Sequence, residues 1–129
     1  MAACCLIVVG VFQVALAMGA PLGQAAWGGQ HAVLPSSLRT GSAVAALYLF
    51  GAAAVMLART GWSGLGMPSW LIRYGPWVLA VQLVLNTAGN LASSSVWERY
   101  MMGAISAVLA LLCLFVARMP VVGPPSRRR

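Results

Sequence analysis

Apolar residues gather in four stretches, residues 2–20, 41–58, 76–95 and 101–117, separated by segments in which Gly, Pro, Ser and Arg concentrate. None of the four alternates with period two, which excludes strands. Crossing the roughly 30 Å hydrocarbon core of a bilayer takes about 17–25 mostly apolar residues in a helix, whose backbone satisfies its own hydrogen bonds. Each stretch meets that requirement. The first stops at Pro21 and the second at Arg59; the third starts near Pro76 and fades through Ser93, Ser94 and Ser95; the fourth lies between Arg99 and Arg118. The pattern predicts an all-α, polytopic four-transmembrane-helix bundle forming a single membrane domain over residues 1–129. An outer loop covers residues 21–40, and a disordered basic tail covers residues 119–129. Ala15-Leu16-Ala17 and Met18-Gly19-Ala20 offer small residues at a cleavage-like site. A signal peptide also needs a basic n-region, and the chain has none there. The first span is therefore expected to be retained; cleavage would leave three.

Composition sharpens this reading. Soluble domains are about 45–50% apolar and about a quarter charged, whereas this chain is 61% apolar and 7% charged, with mean hydropathy +0.89. All eight basic residues are Arg, against one acid, Glu98, for a net charge of +7. A nucleic-acid partner requires basic residues clustered on one soluble face; here they sit at the ends of apolar runs, so nucleic acid is excluded. Arg59, Arg73, Arg118, Arg127, Arg128 and Arg129 fall on one side and only Arg39 and Arg99 on the other. By the positive-inside rule both termini are cytoplasmic. The absence of Lys beside abundant Ala, Gly, Val, Arg and Pro suggests a GC-rich bacterial genome, and hence a multi-pass protein of the bacterial cytoplasmic (inner) membrane. Trp62, Trp70, Tyr74 and Trp77 would mark the inner interface, and Trp27, Trp97 and Tyr100 the outer one.

Polar residues inside the spans point inward. Gln82, Asn86, Asn90 and Ser94 recur every fourth residue and share one helix face. An unpaired amide facing lipid costs several kcal/mol, so the stripe is expected to be shielded. Gln13 lies at a depth similar to Asn86, with Tyr48 and Ser106 in the outer half. These groups either pair between helices as glue, worth about 0.6–2 kcal/mol each, or line a cavity open to the outer face. Small residues that allow close helix approach include Gly103 with Ala107, Ser106 with Ala110, and Gly51-Ala52-Ala53-Ala54.

Cys4, Cys5 and Cys113 lie in apolar segments, and His31 is the only histidine. That excludes a zinc site of ordinary spacing and a disulfide framework; no metal and no cofactor is expected. The outer loop is long for a compact bundle. In it, Gly28-Gly29 between Trp27 and His31 predicts a tight turn laying an aromatic ring across the bundle mouth. Glu98 is expected to pair with Arg39, forming one outer cluster with His31 and Trp27. The catalytic candidates are Glu98 and His31, either acting as an acid. The ligand-binding candidates are Trp27, Arg39, Tyr48, Asn86, Asn90, Trp97 and Arg99.

Gly19-Ala20-Pro21-Leu22-Gly23, then Ala26-Trp27-Gly28-Gly29-Gln30-His31, Leu34-Pro35 and Leu38-Arg39, resembles a group of small bacterial four-helix membrane proteins that open on a G-A-P-x-G…A-W-G-G…L-P…L-R pattern. Asn90, Ser93, Ser95, Glu98 and Arg99 resemble the N…S-x-S…E-R pattern before the last span of that group. The resemblance brings no activity but implies that the outer loop and Glu98-Arg99 form one unit. Three function classes follow. The first is an accessory or lipophilic-ligand-binding bundle with a polar extracytoplasmic mouth. The second is an isomerase or cyclase acting on an isoprenoid-like or lipid substrate, with Glu98 as general acid. The third is a small transporter or channel, which the absence of an acid deep within a span disfavours. The partners expected are the lipid bilayer, a lipophilic small molecule, and a second copy of the chain or another membrane protein.

Overall fold

Proline and glycine set where the helices begin and end. The computed structural model describes residues 1–61 and 66–121. Its helices are α1 (Ala2–Ala17), α2 (Ser36–Arg59), α3 (Ser69–Ala92) and α4 (Gly103–Arg118), with a 3₁₀ turn at Gly23–Ala25 and a π-helical turn, Trp97–Met102, leading directly into α4. Among the described residues there is no strand. Trp62, Gly64 and the tail arginines lie outside them.

α1 closes on Gly19, whose φ of +93° suits a residue without a Cβ. Gly19 N–H reaches the Leu16 carbonyl at 3.0 Å and Ala20 N–H reaches that of Ala15 at 3.0 Å, the paired bonds of a Schellman cap. Pro21 then cannot continue the helix. α2 starts at Ser36, ahead of the expected Gly41, because Pro35 takes the cap position and its carbonyl accepts from Leu38 and Arg39 at 3.0 Å each. The polar run Ser36–Thr40 is thus a first helical turn, and the outer loop ends at Pro35. α3 likewise starts at Ser69 after Pro68, ahead of Pro76, which lies inside the helix.

The helices pack as two antiparallel hairpins, α1 with α2 and α3 with α4, joined more thinly through α2–α3 and α1–α4. Their shared core holds Leu6, Ala52, Ala53, Met56, Leu79, Leu83, Leu109, Ala110 and Cys113, with Cys5 packed against it. The alanines let the helix backbones approach closely. A smaller cluster of Leu16, Ala26 and Leu34, backed by Phe12 and Leu38, fixes the outer loop to the first hairpin.

Three arginines serve helix ends. A helix terminates in unpaired carbonyls carrying partial negative charge. Arg39 Nε donates to the Ala17 carbonyl of α1 at 2.8 Å, and Arg99 donates twice to the Ser93 carbonyl after α3, at 3.1 and 2.8 Å. Arg59 is 5% exposed and donates to Val116, Ala117 and Met119 at the end of α4, at 2.9, 2.8 and 2.7 Å. Its Nη1 also reaches the Ile72 carbonyl at 3.0 Å. Pro76 has no N–H to give Ile72, its partner one turn back, and the guanidinium fills that vacancy.

Two helical segments, Ser36–Arg59 and Trp97–Arg118, are long and apolar enough to cross a membrane, with mean hydropathies of 1.9 and 2.3. Ala2–Ala17 is apolar but shorter.

Candidate binding cleft

Where the two hairpins part, they leave a cleft of about 650 Å³, within the range of small-molecule sites. Its apolar walls come from all four helices, including Leu6 and Val9, Val44 and Leu49, Leu79 and Leu83, and Ile105 and Leu109. Ala25, Ala26 and Trp27 cover the loop end, and Gln13, Gln82, Asn86, Asn90, Glu98 and Ser106 bring polar atoms to the lining. Val44 and Tyr48 of α2 and Gln82 and Asn86 of α3 are exposed as well as lining. The cleft is therefore open along its α2–α3 side.

Trp27 is held in an uncommon conformation. Its φ is +56°, a region that bulky side chains rarely enter and that recurs at functional sites. The indole Nε1 donates to Ser42 Oγ at 2.9 Å; Ser42 has no solvent exposure. The ring lies against Gly41, where a Cβ would stand 2.9 Å from two ring carbons. An aromatic ring does lie at the bundle mouth, as the glycine pair suggested.

Glu98 sits in the π-turn, a distortion that recurs at functional sites, and is 7% exposed. Its Oε1 accepts from the Gly28 N–H at 2.9 Å and its Oε2 from the Ser93 hydroxyl. Ser95 Oγ donates to the Gln24 carbonyl at 2.6 Å. At Gly29, with φ +70°, a Cβ would lie 2.4 Å from that of Ser95, so no larger residue fits between the two loops. The outer loop and the Ser93–Glu98 segment are thus one docked unit.

The expected ion pair does not form. Arg39 caps α1 and Arg99 caps α3, so neither is a partner of Glu98. The reason is local: a terminal carbonyl lay nearer to each guanidinium than the carboxylate did. Glu98, Trp27, Tyr48, Asn86 and Asn90 line the cleft; His31, Arg39, Trp97 and Arg99 do not. His31 and Trp97 are exposed. The amide stripe also divides. Asn90 is half-buried and donates to Ser106 Oγ at 3.3 Å, whereas Gln82 and Asn86, bonded to each other at 3.3 Å, lie on the open side rather than shielded.

One contact was not among the expectations from sequence. Thr87 bonds Ser106 at 3.0 Å; its spacing of four from Leu83 and three from Asn90 was the available signal. Gln13 Oε1 is buried without a hydrogen-bond partner in the described structure and belongs to the cleft lining. Among the described residues no group of three metal-ligating side chains gathers. Comparisons with protein-family models, curated proteins and solved structures return no match to this chain.

Proposed function

We propose that this chain is a multi-pass membrane protein, crossing the bacterial inner membrane four times with both termini cytoplasmic, and that its cleft binds a lipophilic small molecule. Support for the additional spans comes from the outward faces of α1 and α3. Ile7, Val8 and Val11 on the first, and Val78, Val81, Val84 and Leu85 on the second, are all exposed. In water, a contiguous apolar belt of this kind would drive association; in lipid it faces its natural solvent. α1 rises about 24 Å and α3 about 36 Å at 1.5 Å per residue, so α1 would lean on its flanking loop to reach the interface. Single cysteines substituted at Gln30 and Trp97 should be labelled from outside, and one at Gly64 only after permeabilisation. Labelling of Gln30 from the cytoplasm alone would refute the orientation.

The observation that carries the ligand reading is the cleft itself: apolar walls, amides of α1 and α3 set among them and an opening along α2–α3, through which a molecule dissolved in the bilayer could pass sideways. Each oxygen of Glu98 already accepts a hydrogen bond, which suits an anchor for the loop better than the general acid of an isomerase or cyclase. The Asn90–Ser106–Thr87 set acts as interhelical glue, which makes Gln13, Gln82 and Asn86 the amides of the cleft that can meet a ligand. Photolabelling in nanodiscs with a diazirine-bearing long-chain alcohol should modify Leu49, Leu83 and Ile105 in preference to Val8, Val81 and Leu111. Ala45→Trp, which fills the cleft, should abolish that preference. Equal labelling of both sets in the wild-type protein would refute the reading.

A further inference from the structure

Two acceptors stand out among the polar groups of the cleft. Among the described residues the Gln13 amide oxygen is buried without a partner, and Glu98 contributes the only acidic side chain of the chain. None of the described arginines lines the cleft. Arg39, Arg59 and Arg99 are each directed at helix-end carbonyls instead. The carboxylate is thus buried with two neutral donors and no cation beside it among the described residues, and a buried charge is costly without an opposite one. The Gly28 N–H bond to Glu98 sets that carboxylate next to the backbone of Trp27, whose indole stands at the same mouth. Aromatic faces attract cations, most strongly where water is excluded.

We infer that the occupant of this cleft is a lipophilic organic cation, its charge held between Glu98 and the Trp27 indole, its donors meeting Gln13, and its apolar body lying against Leu49, Leu83 and Ile105. Phosphate-bearing and other anionic amphiphiles are rejected, because among the described residues the cleft has no cation to receive them and has a carboxylate to repel them. The inference rests on the cleft being a lipophilic site, as proposed above.

Tetraphenylphosphonium and tetraphenylborate have nearly the same shape and opposite charge, so they separate electrostatics from fit. Each is used to displace the diazirine alcohol from the wild-type protein in nanodiscs of uncharged lipid. Labelling of outward-facing peptides corrects for the amount of each ion in the bilayer. The phosphonium should displace cleft labelling at about one-tenth the corrected concentration the borate needs, the ratio that 1.4 kcal/mol confers. Glu98→Gln, which keeps an acceptor for Gly28, should bring that ratio close to one. Trp27→Leu should lower it without changing the formal charge of the cleft. Equal displacement by the two ions in the wild-type protein, or preference for the borate, overturns the cation assignment while the lipophilic cleft stands. A ratio unchanged by Glu98→Gln also overturns it. Failure of the alcohol to label the wild-type cleft at all overturns both.

Discussion

Replacing Arg59 by Met should cost at least about 3 kcal/mol of stability, because a buried carbonyl left without a donor costs about 1–3 kcal/mol and several lose theirs together. Val116, Ala117, Met119 and Ile72 all accept from this one side chain. Methionine restores the volume, so packing loss is kept small and the deficit reports the hydrogen bonds. Arg59→Lys should recover only part of it, since an ammonium presents three donors as a point charge and cannot fork across two helices. Denaturation in mixed micelles gives the free energies. Pro76 supplies an internal control. Pro76→Ala returns an N–H to the helix at the turn where Ile72 lacks one, so it should stabilise the Arg59→Met protein more than it stabilises the parent. A double-mutant cycle that closes with no coupling would show that the proline and the arginine do not share the Ile72 carbonyl.

The second large effect is expected at Gly29. Alanine there meets Ser95 at 2.4 Å while also paying about 1–2 kcal/mol for the left-handed backbone. Neither loop can yield easily, since Ser95 is tied to Gln24 and Gly28 to Glu98. Gly29→Ala should therefore undock residues 23–29 from 93–98 with little effect on the helices. Amide hydrogen exchange would show it: protection of Gly28 should fall by about tenfold or more, as expected when roughly 1.4 kcal/mol is lost, with the cores of α2 and α4 unchanged. Unaltered protection at Gly28 would mean that the loops hold together by some other contact.

Much of the fold was legible because apolar runs leave a helix few alternatives once strands are excluded. The starts of α2 and α3 were not, and the cause is the same in both. Pro35 and Pro68 cap turns whose residues, Ser36 to Thr40 and Ser69 to Gly75, mix polar and apolar types. Hydropathy marks where a helix could meet lipid, not where its hydrogen bonding begins. At the site, the glycine pair pointed to the tight turn at Trp27 because a turn is a local matter, whereas the bonds that dock this loop join residues 70 and 71 positions apart, which only the resemblance pattern had implied. The partner of Glu98 was misjudged because charge was matched to charge. In a chain with one carboxylate and eight arginines, most guanidinium groups must settle on other acceptors, and helix-end carbonyls are the acceptors in surplus. Which carbonyl each arginine meets depends on tertiary geometry that spacing does not encode.

The placement of the three caps also bears on the order in which the protein can assemble. Arg39 serves a helix of its own hairpin, and so does Arg99. Arg59 alone reaches from one hairpin to the other, and its acceptors at the end of α4 lie 57 to 60 residues further along the chain. During synthesis, which proceeds from the N-terminus, the first hairpin can be complete while this guanidinium still has no partner. Arg59 is the latch of the assembly: it closes only when both hairpins have been made and the last helix has run its full length, so a chain truncated before Val116 leaves this cation with no carbonyl of α4 to receive it.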